Sequence, residues 1–260
     1  MKNHFISFRY TISVVGISLI YVILIASLFW FYDKEKFVEI LSSDRTLYSL
    51  KLSLICATVV ALISTILAIP AAYALSRYNF PLKNVMDTLL ELPMIVSPAA
   101  LGAMILIFFN NRYGSYIQEH TVQVVFSIAG ILIAQLVTIL GISIRLIKAV
   151  MDEIPLRYEH IARTLGASQW KAFRTVTLPL AKKGILAAYL LAWAKAIGEF
   201  GATITVAGSM PLKTETLPTA IYLRLASADI EGSVVLILII VAIGIFTLTI
   251  FRLLGHSKIV

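Results

Sequence analysis

Long apolar stretches separated by short charged segments dominate this sequence. Five of the stretches contain no charged residue, and each is close to the roughly 20 residues that a helix needs to cross the hydrocarbon core of a bilayer. A sixth stretch is interrupted only by Lys195 and Glu199. The pattern predicts six membrane-spanning helices, at 10–32, 52–76, 92–111, 121–144, 184–208 and 232–251.

The composition agrees with this pattern. Hydrophobic residues make up 59% of the chain, charged residues 14%, and the mean hydropathy is +0.91, values outside the range of ordinary soluble domains. The first stretch follows Lys2 and Arg9, as in a signal peptide, but it is too long and lacks a small-residue cleavage site, so we expect a retained helix. We predict an all-α integral membrane protein with one domain over 1–260.

The distribution of Lys and Arg predicts the orientation. If both termini lie on one side, that side carries fourteen of these residues outside the spans and the other side carries seven. Because cytoplasmic loops are enriched in Lys and Arg, we expect both termini in the cytoplasm and the protein in the cell membrane. The net charge of +8 then reflects orientation and attraction to the headgroups of the lipid bilayer, so we expect no nucleic-acid partner.

Motifs for chemistry on this chain are missing from the sequence. It contains neither a phosphate-binding loop nor an H-E-x-x-H pattern. The histidines at positions 4, 120, 160 and 256 fall in four separate loops or tails, so no shared metal site is expected. Cys56 lies alone inside a predicted span, where a small apolar role is usual. We therefore expect no enzyme and no cofactor or metal on this chain.

A polar, cationic segment at 155–179 separates two predicted spans. It begins with a short helical pattern that presents one apolar face, formed by Tyr158, Ile161, Ala162 and Leu165. Gly166 follows, and glycine accepts the left-handed conformation that ends many helices. We predict a short helix that ends at this glycine.

A second short helix is predicted directly after it. Ser168 suits the N-cap position, and Trp170 and Phe173 offer large apolar side chains beside basic residues. Pro179 fits the first turn of the next span. Such a helix pair on the cytoplasmic face is suited to a groove on a soluble partner; the alternative is an amphipathic helix that lies on lipid.

The same segment resembles a known signature. Ala162, Gly166 and the residues Val176, Leu178 and Pro179 fit the EAA-x3-G-x9-I-x-LP pattern of permease subunits of ATP-binding-cassette (ABC) importers. His160 and Ile161 stand where that pattern has Glu and Ala. Glu159 lies one place earlier, and a shift of one residue turns a helix by about 100°.

The resemblance implies a type I ABC importer architecture, in which this segment is the coupling loop that docks on a separate ATPase. That partner would bind ATP and Mg, and none would be held by this chain. It further implies a homodimer, two ATPase subunits and an extracytoplasmic oxyanion-binding protein as partners. The docking residues it implies are Glu159, His160, Ile161, Ala162, Arg163, Leu165, Gly166, Ala167, Trp170 and Phe173.

Two further segments resemble a narrower group. WAKAIGEFGATITVAG at Trp193–Gly208 is similar to the fifth helix of molybdate, tungstate and sulfate importer permeases, and ELPMIVSPAALG at Glu91–Gly102 is similar to their proline-containing third helix. The resemblance implies import of a tetrahedral oxyanion, with molybdate or tungstate favoured. A sulfate or thiosulfate importer, another ABC importer for amino acids or polyamines, and a secondary transporter are the alternatives; the last would place carboxylates at matching positions of inverted halves, and no such halves are visible.

Ionisable groups within the fifth predicted span are candidates for the translocation pathway. A charged side chain in mid-span costs about 2.5–3.5 kcal/mol on insertion scales, so Lys195 and Glu199 should face the bundle interior. Their i, i+4 spacing also permits a purely structural ion pair. Thr203 and Thr205 add hydroxyl groups to the same helix, although a threonine in a span often bonds its own backbone.

Three prolines fall inside predicted spans. Pro70, Pro93 and Pro98 each remove a backbone donor, which kinks a helix or unwinds it locally. Such a kink is either a hinge for alternating access or a fixed element of shape. Gly198 and Gly201 flank Glu199, and small residues of this kind let another helix approach closely.

Overall fold

The computed structural model describes residues 2–255, with side chains for residues 11–250. This part of the chain is helical and contains no strand. A 3₁₀ turn at Phe29–Phe31 follows α1, and a π-helical turn at Phe173–Thr177 joins α9 to α10. The helices are α1 (Lys2–Leu28), α2 (Lys34–Ser42), α3 (Asp44–Arg77), α4 (Lys83–Ile95), α5 (Pro98–Asn110), α6 (Arg112–His120), α7 (Ile128–Asp152), α8 (Arg157–Thr164), α9 (Gln169–Ala172), α10 (Leu178–Ile197), α11 (Gly201–Ala207), α12 (Leu217–Ala226) and α13 (Ile230–Gly255).

Five helical stretches are long and apolar enough to cross a membrane. They are Thr11–Phe31, Asp44–Arg77, Ile128–Asp152, Gln169–Ile197 and Ile230–Ile250. The pair α4 and α5 passes the same test as one unit, although it is bent by 111°. The predicted class, an all-α membrane protein, is confirmed.

The packing of α3 on α7 shows that the bent pair crosses the membrane. At the end of α3, Arg77 donates to the carbonyl of Ile154, just beyond α7, over 2.8 Å, and Ser76 donates to Asp152. The carboxyl ends of both spans therefore lie on the same side, which we term the α8 end of the bundle. Since α3 and α7 run in the same direction, the chain between them must return, and α4 with α5 forms the third of six crossings.

The third span was predicted as one helix over 92–111, and that boundary is wrong. Pro98 starts α5, and the hydroxyl of Ser97 caps it by accepting from the amide of Ala100. Pro93 lies inside α4, which begins nine residues before the predicted start. The charge-free run missed this beginning because α4 carries two carboxylates, which lie beside one arginine of α7 as described below.

The fifth span is also interrupted. The predicted segment 184–208 contains the end of α10, a break at Gly198–Phe200, and α11. Its helix begins earlier, at Gln169, and runs on through the π-helical turn. Pro179 has no N–H to bond the carbonyl four residues before it, which explains a widened turn at this point.

The remaining boundaries differ at the polar ends. Residues 121–127 were predicted as part of the fourth span but are not helical, because the Gln118 side chain accepts from the amides of Val124 and Val125 instead. The hydroxyl of Ser127 then caps α7, which continues to Asp152. The helices α3 and α13 likewise extend past the apolar runs that predicted them.

The core lies where α3, α7 and α10 meet. It is built largely from fully buried small side chains, including Ala57, Ala61, Ala192 and Ala196, around Ile139. Small residues let helix backbones approach closely, which is the main source of packing energy within a bilayer. The span of α1 stands apart from this core, with none of its apolar window buried against the rest of the described chain.

Candidate functional site

The short helices α8 and α9 form a tight turn at the α8 end of the bundle. Gly166 has a φ of +86°, and its amide donates to the carbonyl of Arg163. The amide of Ala167 donates to the carbonyl of Ala162 over 3.0 Å, and the hydroxyl of Ser168 caps α9. The predicted helix end at the glycine and the predicted cap at the serine are confirmed.

Large apolar side chains project outward from this turn. Leu165 is 83% exposed and Trp170 is 65% exposed, and Tyr158 and Ile161 are also exposed. An open cavity of about 670 Å³ lies between the two helices, lined by His160, Arg163, Thr164, Gly166, Ala167, Ser168 and Gln169. Exposed apolar groups around a concavity are the usual mark of a protein–protein contact.

Glu159 was predicted to dock a partner, and the structure corrects this. Its side chain is buried, and one oxygen accepts from Arg77 Nε over 2.9 Å and from Thr177 Oγ1 over 2.7 Å. The other oxygen accepts from the Tyr73 hydroxyl over 2.9 Å. The rotation of about 100° per residue points Glu159 inward while His160 faces out. Glu159 therefore joins α8 to the end of α3 and to the π-helical turn.

Phe173 is the second predicted docking residue that is buried. Its ring centroid lies 4.5 Å from that of Tyr73 and 5.4 Å from that of Trp170. It fills the space beneath α9 and supports the exposed indole. The other predicted docking residues are exposed or half-buried: His160, Ile161, Ala162, Arg163, Leu165, Gly166, Ala167 and Trp170.

Lys195 and Glu199 do not form the ion pair that their spacing allowed. The helix α10 ends at Ile197, so the i, i+4 geometry is lost. Glu199 is 2% exposed, and its carboxylate accepts from the amide of Ala202 over 3.1 Å, which caps α11. Lys195 is exposed in the last turn of α10 and has no carboxylate partner among residues 11–250.

The two threonines predicted for the pathway face protein. Thr203 is fully buried, and its hydroxyl has no hydrogen-bond partner in the described part of the chain. Thr205 Oγ1 donates to the carbonyl of Gly201 over 2.7 Å, the backbone bond that is common for threonine in a span. Neither hydroxyl contacts Lys195.

The breaks in the third and fifth spans lie against each other, which the sequence did not reveal. A Cβ on Gly201 would lie 3.0 Å from the Cβ of Pro98, and a Cβ on Gly102 would lie 2.8 Å from the Cβ of Thr205. Gly198 faces only its own helix. The start of α5 therefore packs directly on α11, with glycine at both contacts.

Arg145 was also missed by the sequence reasoning. Its guanidinium pairs with Glu91, and it lies 3.6 Å from Asp87, one turn earlier on α4. An arginine that holds two carboxylates in this way fixes α4 to α7 near the α8 end. The charge pattern alone offered no signal, since the two helices are separated by more than thirty residues.

The described chain is thus a multi-span membrane bundle with two broken spans and an exposed helix pair at one end. The family model for "Binding-protein-dependent transport system inner membrane component" matches residues 62–259. The chain belongs to this family of ABC importer permeases, whose members are not themselves enzymes.

Curated relatives agree with this family. The chain is 31% identical over 253 residues to the sulfate transport system permease protein CysW of Synechocystis sp., covering 93% of this chain and 92% of that one. It is 32% identical over 220 residues to the molybdenum transport system permease protein ModB of Escherichia coli, covering 82% and 95%.

Solved structures share the fold at low sequence identity. A bacterial alginate ABC transporter matches with a TM-score of 0.68 at 16% identity, over 94% of this chain and 95% of that chain. The MetNI methionine ABC transporter matches with a TM-score of 0.58 at 14% identity, over 82% and 99%.

Proposed function

We propose that this chain is the permease subunit of an ATP-driven importer for a tetrahedral oxyanion, and that it docks a separate ATPase through α8 and α9. The observation that carries the proposal is the exposed helix pair, with its turn at Gly166 and its apolar and cationic side chains. A partner that fits this pair acts on the spans directly, because Glu159 joins α8 to α3 and to the start of α10.

ATP and Mg belong to the partner in this account. The permease has two tasks: to hold the ATPase against α8 and α9, and to convert its closure into a change between inward-open and outward-open states. Partner closure favours one of these states only if it binds that state more tightly. The buried carboxylate of Glu159 is held by the side chains of Tyr73 and Arg77, so a displacement of α8 is passed to the end of α3 through these hydrogen bonds.

The oxyanion is supported by relatives and by one side chain. Relatives named as sulfate permeases and as molybdenum permeases match this chain at 31% and 32% identity. Lys195 adds an exposed positive charge at the end of α10, where a dianion crossing the bundle would be attracted. Molybdate or tungstate was the first prediction from sequence; sulfate is supported equally by the relatives, so the proposal is for the oxyanion class.

The assembly that we propose has two copies of this chain, two ATPase subunits and an extracytoplasmic binding protein. None of the apolar window of α1 is buried in the single chain, so this span is free to pack on a second copy or on lipid. We further propose that both termini and the α8 end face the cytoplasm, which the excess of Lys and Arg on that side supports.

The experiment is the ATPase activity of the complex in proteoliposomes together with its binding protein. Molybdate, tungstate and sulfate are added separately, and phosphate serves as a tetrahedral control. Stimulation by one of the three at low concentration is expected, and it would name the substrate. A complex that assembles with its ATPase but responds to none of the three contradicts the oxyanion proposal.

A further inference from the structure

The partner-facing surface of α8 and α9 carries charge of one sign. Four residues of these helices and of the π-helical turn that follows them are cationic and exposed: Arg157, Arg163, Lys171 and Arg174. None of them pairs with a carboxylate within residues 11–250. Two lie over neighbouring rings, Arg157 at 5.4 Å from the Tyr158 centroid and Arg174 at 5.9 Å from the Trp170 centroid. These contacts hold the guanidinium groups at the surface without neutralising them.

The single acidic residue between Arg157 and Arg174 does not reach this surface. That residue is Glu159, which is 6% exposed and fully engaged by three donors. Its negative charge is balanced by Arg77, whose side chain is 5% exposed. Between Arg157 and Arg174 the exposed residues therefore carry four positive charges and no negative charge.

His160 differs in charge from the residue that the signature has at the same position. It occupies the position where the signature has Glu, it is exposed, and it lines the open cavity beside Arg163. A glutamate at this position would offer a partner a negative charge. This chain instead offers an imidazole beside cationic side chains. The matching position on its partner must therefore tolerate or prefer a negative charge, where a glutamate would require a positive one.

The shape favours a protein partner over a lipid surface. The cavity between the two helices is concave, and its lining includes the polar side chains of Thr164, Ser168 and Gln169. A bilayer surface fills no such concavity with matching hydrogen-bond partners. Leu165 and Trp170 are exposed beside the cavity, so the same partner must also provide an apolar surface that covers them.

We infer that the ATPase surface that receives α8 and α9 is an apolar groove with an acidic rim, its carboxylates facing His160 and Arg163. The inference rests on the proposed function and states the chemistry of the partner at that same site. Charges at such a rim act mainly on the association rate and on its dependence on salt.

The test uses the full-length chain in nanodiscs and the purified ATPase subunit of its transporter. Dissociation constants are measured at about 0.05 M and about 0.5 M KCl, concentrations between which screening of exposed charges becomes strong. Three variants are compared: His160→Glu, Arg163→Glu and the control Lys182→Glu. Lys182 is exposed on α10, outside the docking surface, and its variant makes the same change in net charge as Arg163→Glu.

The inference predicts that His160→Glu and Arg163→Glu each weaken binding by about fivefold or more at low salt, with a smaller loss at high salt. Lys182→Glu should leave the affinity unchanged. Tighter binding by His160→Glu would show a basic partner position and overturn the inference. Equal losses of affinity in all three variants would show that these positive charges act through the orientation of the chain in the membrane and not through the docking surface. That result would also overturn the inference.

Discs of neutral lipid and discs that contain anionic lipid are run in parallel. The losses should be equal in both, because the surface binds protein. Losses confined to anionic discs would place the surface on lipid and contradict the inference. If the unmodified chain binds no ATPase at all, the proposed function itself has failed, which is a different outcome from binding that ignores the two substitutions.

Discussion

At the residue scale, Glu159 carries the most specific structural role outside the docking surface. Arg77, which it holds, is 5% exposed, so loss of the carboxylate leaves a buried guanidinium without its counter-ion. Breaking a buried ion pair in this way costs about 3–5 kcal/mol. The position of Glu159 next to the signature suggested a partner contact. Two of its three partners in the structure, Arg77 and Tyr73, lie 82 and 86 positions away in the sequence, so the sequence did not reveal them.

We expect Glu159→Gln to lower the stability of the purified permease by about 3 kcal/mol, because the amide cannot balance the charge of Arg77. Thermal unfolding in detergent measures this. The matched control is Glu231→Gln, which removes an exposed ion pair with Lys36 and should change the stability little, because exposed ion pairs contribute little. Equal small losses in both variants would contradict the role given to Glu159.

The charge of Lys195 is tested by Lys195→Met, which keeps the length of the side chain. We expect oxyanion uptake to fall by about tenfold, equivalent to about 1.4 kcal/mol, while the complex still assembles. Lys182→Met is the control at an exposed lysine of the same helix. Unchanged uptake with Lys195→Met would remove this residue from the pathway.

At the element scale, the turn between α8 and α9 sets the shape of the docking surface. A β-branched residue at a φ of +86° is strained by about 1–2 kcal/mol or more. We expect Gly166→Val to distort the turn, so that ATP hydrolysis continues while uptake per ATP falls. Gly244→Val, in α13 with open space around it, is the control. The ratio of oxyanion transported to ATP hydrolysed is the measurement, and an unaltered ratio would contradict the docking account.

The contact between the two broken spans is a second element whose role can be tested. A methyl group on Gly201 meets Pro98 and Ala99 at 3.0 Å, and overpacking of this kind costs about 1–3 kcal/mol. We expect Gly201→Ala to destabilise the permease, whereas Gly198→Ala, which meets only its own helix beyond 3.8 Å, should be tolerated. Similar unfolding temperatures for the two variants would count against a tight crossing of α5 and α11.

The breaks themselves mark the limit of the sequence pattern. Apolar runs locate the spans because hydropathy depends only on the residues within each segment. All six predicted stretches contain spanning helix. The bend of 111° between α4 and α5 depends on the packing of Pro98 and Gly102 against α11. The composition of the third span therefore indicated a kink but not its sharpness.

At the scale of the whole molecule, the signature in 155–179 predicted the helix pair well, since a glycine turn and a serine cap are local features. Which side of α8 faced the bundle could not be predicted, because that depends on Tyr73 and Arg77 at the end of α3. The homodimer and the identity of the oxyanion depend on surfaces and partners beyond one chain, so the pattern within one chain does not determine them.

The central claim is that this chain couples a docked ATPase to oxyanion import through α8 and α9. The most direct measurement is ATP-dependent accumulation of labelled molybdate, tungstate and sulfate in proteoliposomes that contain the complete complex, made with the unmodified chain and with Gly166→Val. The account predicts accumulation of at least one oxyanion by the unmodified complex, and its loss with continued ATP hydrolysis in the variant. Accumulation of none of the three, or equal accumulation by both complexes, would contradict it.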